Sequence, residues 1–224
     1  MGIKQTSIES FLEPEASGFL YDTARSFLKR HSSPESLLGQ LKSQLYQGHL
    51  DACRDLIQLI IREGHSLADN SSIYLLRAQI SYEQAENKGE VMAWVQQAKL
   101  CKNLSPNIIS WDELILGQTT LSEGDYVRGQ MILEELLEHE TVGYLAKFEL
   151  AHHLFWKNLD AERAMQLLCE ITEEHPEFIK AWSCLGFIYN KFGMKAKAQE
   201  AFGNCIELDS NPERLKFYHQ QLAS

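Results

Sequence analysis

The sequence predicts an all-α protein, an array of about five helical hairpins with a flanking helix at each end. Three observations lead there. Apolar residues recur at i, i+3 and i+7, the spacing of one helix face. The pattern returns after roughly 34 residues, the mark of a repeat architecture. Gly or Asn stands where each hairpin must turn, because those residues tolerate the left-handed conformation.

The clearest unit spans 179–212. Trp182, Leu185 and Tyr189 share one face of its first helix, and Gly186 lets the second helix approach closely. Gly193 suits the turn, and Ala198 and Phe202 form the facing stripe. These residues stand at the spacings of a tetratricopeptide repeat, and the chain resembles that family. The resemblance implies a right-handed superhelical solenoid in which the first helices line a concave, ligand-binding surface.

The unit at 145–178 repeats the template with Phe148, Ala151, Phe155, Ala164 and Leu168. His152 replaces the close-contact glycine, which predicts a splayed helix pair, and Asn158 takes the turn. A third unit, 110–144, carries Leu116, Gly117, Gly124, Gly129 and Leu133; Gly124 and Gly193 lie 69 residues apart, near two periods. Two weaker units fall near 71–106, around Tyr74, Leu76, Ala78 and Tyr82, and near 35–65, with Gly48 as turn. Residues 1–34 form an N-terminal extension with an amphipathic helix around Phe19 to Leu28. Residues 213–224 suit a capping helix, which a solenoid needs at its end.

Composition limits the function. The formal charge is −10, with 21 basic and 31 acidic residues, which argues against nucleic-acid binding by a basic stripe. The acids concentrate at 110–178, where 15 face only 4 bases. Many of them, including Glu134, Glu135, Glu170 and Glu174, fall on second helices, so they read as a solvated outer face. No apolar run is long enough to span a membrane. The beginning, MGIKQTSIES, lacks a secretory pattern, and the cysteine count of five is odd. Together these predict a cytoplasmic protein with free thiols.

No catalytic or metal constellation is legible. His152 and His153 are adjacent and diverge by about 100° on a helix, too far to chelate together. Cys53, Cys101 and Cys205 occupy slots that want a small buried side chain. A non-enzyme without cofactor or metal is therefore expected.

Projecting the outward-facing template positions onto the first helices gives a candidate groove. Its residues are Tyr82, Trp111, Leu114, Gln118 and Leu121, then Glu149, His153, Trp156, Phe187 and Asn190. Leu114, Leu121, Trp156 and Phe187 are not demanded by the repeat's own core. An apolar surface of that kind predicts an apolar or amphipathic segment of another protein as ligand. The alternative is that the flanking helix of the same chain covers it. The family's carboxylate clamp is not reproduced, since its slots carry residues such as Glu149, His153, Ser183 and Cys184.

The expected function is thus an adaptor or chaperone that holds a partner segment. A scaffold subunit of a larger complex is the alternative, and a second copy making a homodimer is a further candidate partner. In general plan the chain also resembles type III secretion chaperones, which are small, acidic repeat proteins with an apolar groove. Two N-terminal patterns complete the reading. Gly2 and Thr6 fit the N-myristoylation pattern, and Gln5, Ile8, Phe11 and Leu12 resemble a sliding-clamp-binding box in which Leu12 replaces the usual second aromatic.

Overall fold

The computed structural model describes residues 37–39, 41–42, 45, 50–62, 66–84, 88–209 and 212–222. The N-terminal extension, with Gly2 and the box at Gln5, Ile8, Phe11 and Leu12, lies outside them, as does Gly48. The described residues form helices and their connections. The one β-type pairing among them is an isolated bridge between Asn70 and Asn103. The chain divides into two compact units, residues 1–111 and 112–224.

In the first unit, α1 (Leu50–Arg62), α2 (Ser71–Glu83) and α3 (Lys88–Lys99) pack with α2 in the middle. Position explains the composition of α2. It is buried on every side, from Ile73 through Tyr82, so it shows no polar face. Leu37, Leu41 and Leu45 meet Ile57, Ile60, Ile73 and Ile80 in one apolar cluster. Asn70 caps α2 by accepting from the Ser72 amide at 2.9 Å.

Between α2 and α3 lies a buried ion pair. Arg77 donates to Glu90 at 2.8 Å, and Trp94 Nε1 donates to the same carboxylate oxygen at 3.1 Å. The Arg77 guanidinium also stands over the Trp94 ring, 5.2 Å from its centre, and bonds Ser81. Shared partners of this kind satisfy charges that burial alone would make costly. The chain leaving α3 is tied back to the start of α2. The Ser71 amide donates to the Asn103 carbonyl, and the Asn103 amide to that of Asp69.

The second unit contains most of α4 (Ile108–Glu123), then α5 (Tyr126–Glu135), α6 (Gly143–Trp156), α7 (Ala161–Glu174), α8 (Ile179–Lys191) and α9 (Lys195–Leu208). These form three helical hairpins, α4–α5, α6–α7 and α8–α9. A final helix, α10 (Pro212–Leu222), packs on α9. The turns have one chemistry. Gly124, Asn158 and Gly193 take positive φ values of 95°, 53° and 69°. Asn158 therefore does the work of a turn glycine, as its tolerance of that region predicts. Asp125 and Asp160 then cap α5 and α7 through the amides of Arg128 and Arg163.

Close approach explains the glycines inside the first helices. A Cβ on Gly186 would meet the Phe202 ring at 2.6 Å, and one on Gly117 would meet Leu133 at 2.8 Å. His152 occupies the matching position in α6, yet α6 and α7 still pack against each other. Its ring is turned outward onto Phe148 and Trp156, both at 5.9 Å, so it does not wedge the pair apart. Lys147 also joins these helices, pairing with Glu170 at 3.1 Å and Glu174 at 3.7 Å. Ala198, Phe202, Cys205 and Tyr218 close the core at the α8–α9–α10 end, where Arg214 holds Asp209 with two hydrogen bonds.

Candidate functional site

The second unit presents a set of neighbouring rings on its first helices, α6 and α8, and on α5 and α10 beside them. It begins on α5, where Tyr126 lies 4.9 Å from the ring of His153. On α6, Phe155 packs edge-on to Trp156 at 5.1 Å. Trp156 reaches across to Phe187 of α8 at 6.2 Å, and Phe187 to Phe217 of α10 at 5.8 Å. Helix spacing produces this alignment. His152 and Trp156 are i and i+4 on α6, while Lys180, Phe187 and Lys191 fall within about 40° of one another on α8. Phe187 is half-buried because Phe202 supports it from beneath at 5.6 Å. Trp156 is 53% exposed and Phe217 37%.

The polar surroundings of the rings are ordered. Lys157 stands over Tyr126 at 5.1 Å, and Lys191 over Phe155 at 4.9 Å. Lys191 also donates to the Asn158 side chain. Gln118 of α4 donates to Glu149 of α6 at 2.8 Å, which ties that carboxylate toward α4. His153 is buried, and its Nε2 has no hydrogen-bond partner. Burial, with Lys157 and His152 beside it, holds its imidazole below the ordinary 6.5. His152 is held low as well, by desolvation first and by Lys180, with Glu149 opposing.

The residues singled out from the sequence are distributed unevenly. Tyr82 belongs to the first unit and is buried. Trp111, that unit's last residue, is fully buried, with its indole nitrogen unbonded. Leu114 is fully buried, and Leu121 is buried against Gly129 of α5, so both serve the core that the sequence did not require of them. Gln118, Glu149 and His153 join α4, α5 and α6 to one another. Trp156, Phe187 and Asn190 lie on accessible first-helix faces. Tyr126 and Phe217 extend the ring run but were not singled out. Their signal was an aromatic opening a second helix, and another in a helix read only as a cap.

Three of the cysteines, Cys53, Cys184 and Cys205, are buried away from reaction. Burial pushes the thiols of Cys53, Cys184 and Cys205 up to about 12, far from the thiolate that nucleophilic or metal chemistry needs. Cys101 differs from the expected slot, being half-buried just beyond the end of α3. Among the described residues, no group of three or more His, Cys, Asp or Glu side chains is gathered as a metal site would need. No helix among them is long and apolar enough to cross a membrane.

The hairpins, with their αL turns and close-contact glycines, define a tetratricopeptide-like helical-repeat protein. No protein-family model matches the chain. No curated protein matches it. Among solved structures it is similar to YrrB, described as a TPR protein with an unusual peptide-binding site. The TM-score is 0.43 and the identity 11%, over 88% of this chain and 97% of that one.

Proposed function

We propose that the chain is a non-catalytic interaction module, an adaptor or chaperone, which holds an apolar or amphipathic segment of another protein. The segment lies on the first-helix face of the second unit. One observation carries this reading: Trp156 and Phe217 leave about half and a third of their surface in water while flanking Phe187. Exposed aromatic area in a continuous run has a free-energy cost that a partner relieves, and aromatic anchors dominate interface energies. The remaining accessible groove positions, Glu149 and Asn190, border that run and supply polar contacts.

The experiment is a peptide-binding titration with the whole chain, using short Leu- and Phe-rich segments. Trp156→Ala is expected to weaken binding at least about tenfold, the size of a moderate hot spot. Its helical circular dichroism should be unchanged. Equal affinity of the folded variant and the parent would remove this surface from consideration.

A further inference from the structure

Helix α5 meets α6 at its first residue. Tyr126 opens α5 directly after the Gly124 turn and the Asp125 cap. Its ring touches two α6 side chains that stand one turn apart, the His153 imidazole at 4.9 Å and the Lys157 ammonium at 5.1 Å. Lys157 is exposed, so its ammonium stays hydrated. His153 is 7% exposed, and its Nε2 has no hydrogen-bond partner among the described residues. The surroundings favour the neutral ring, by burial first and then by the cations Lys157 and His152. Carboxylates of the adjoining elements are turned to other groups. Glu149, one turn back on α6, accepts from Gln118 of α4. Asp125 caps α5 through the Arg128 amide, and Glu170 and Glu174 of α7 hold Lys147. Lys180 of α8 acts on the neighbouring His152. A protonated His153 is therefore a second cation on one tyrosine ring, without an acceptor. A cation gains a little from a tyrosine face, but a buried charge without an acceptor loses far more.

We propose that this contact is a proton-sensitive latch: protonation of His153 releases Tyr126 and frees the first turn of α5 from α6, while the rest of the unit stays folded. The inference is independent of the interaction-module reading above. Helix α5 suits such a role. At 10 residues it is the shortest of the described helices, and a helix of that length depends on its tertiary contacts. Gly124, at φ 95° with open space where a Cβ would stand, is the pivot. Gly129 against Leu121, and Leu133 against Gly117, keep the later turns of α5 on α4. In the open form the imidazole titrates near the ordinary 6.5, and in the closed form below it. Above 6.5 the latch is closed. Opening grows as pH falls from there through the lowered value, by at most about tenfold per pH unit for one proton.

The test is hydrogen–deuterium exchange of the whole chain from pH 7.5 to 5, a range above ordinary carboxylate titration. Rates are expressed as protection (corrected for the pH dependence of free-chain exchange). Protection of residues 124–132 is expected to fall about three- to tenfold per pH unit below 6.5. That of residues 195–208, in α9, should hold. His153→Gln should keep 124–132 protected throughout, and Tyr126→Ala should leave it weakly protected at every pH. Protection at 124–132 that is level in the parent, falls equally in both stretches, or falls in His153→Gln as in the parent overturns the latch. If the variants do not fold, an NMR titration of the parent decides. A His153 midpoint below 6.5, with the Tyr126 ring signals moving at the same pH, supports the latch. A midpoint at or above 6.5, or Tyr126 signals that do not move with it, overturns it.

Discussion

Single residues hold the turns and the close contacts of this fold. Asn158 is the most informative, because a non-glycine residue sits at φ 53° in the slot that glycine fills at 124 and 193. A β-branched residue is strained in that region by about 1–2 kcal/mol. Asn158→Val is therefore expected to lower the unfolding free energy by an amount of that order in urea titration, whereas Asn158→Gly stays near the parent. Gly186 is constrained differently, by space and not by backbone. Its missing Cβ is what admits the Phe202 ring, so Gly186→Ala overpacks the α8–α9 contact and costs about 1–3 kcal/mol. Phe202→Leu in the same chain should return part of that loss. Independent, additive losses in the two variants would show that the contact does not set the cost.

At the scale of elements, helix pairs are joined by buried charge as well as by apolar stripes. Lys147 is 8% exposed and reaches Glu170 and Glu174 across the α6–α7 contact. Burial works against its charge, yet the hydrogen bond it donates to Glu170 and the nearby carboxylates outweigh it and raise its pKa. That contribution is present at neutral pH and is lost only as pH rises above the ordinary 10.5 and through the raised folded value. Glu170 is itself partly exposed, so Glu170→Gln should destabilise by only about 1 kcal/mol. Lys147→Met, which removes the buried charge altogether, should be close to neutral. Thermal unfolding of both variants checks the order; a larger loss for Met than for Gln would contradict this account.

For the molecule as a whole, acid sensitivity follows from His153, buried beside Tyr126, with a smaller part from the exposed His152 ring beside Trp156. His152 and His153 both have folded pKa values below 6.5. The unfolded chain therefore binds protons first as pH falls, and stability drops from pH 6.5 down through the lowered values. Above 6.5 the contribution is intact. The melting temperature should be flat from pH 8 to 7 and decline below, and His153→Gln should shallow the decline. A parent profile that is level down to pH 5 would refute this. The His152 ring lies tilted against Trp156 at 5.9 Å, so the proposed partner binding at the ring face should weaken over the same interval.

The repeat class was legible in the sequence because it is written locally. The turn residues at 124, 158 and 193, the glycines at 117 and 186 and the helical period each express a constraint on the backbone or on one neighbouring helix. The Asp caps at 125 and 160 were not singled out, although each is an acid opening a helix just after a turn residue. What the sequence could not determine was the fate of side chains that leave the first helices. Leu114 and Leu121 occupy the same kind of template position as Trp156 and Phe187, yet they are core. Periodicity fixes the direction in which a side chain departs from its own helix but not what stands opposite it. For Leu121 that is Gly129 of α5, a residue with no side chain to hold it out. For Trp156 it is Phe187, itself occupied by Phe202 and Phe217, so the indole remains half in water. The sequence determined the hairpins and their turns; the packing of one hairpin on the next decided which apolar residues stayed in water.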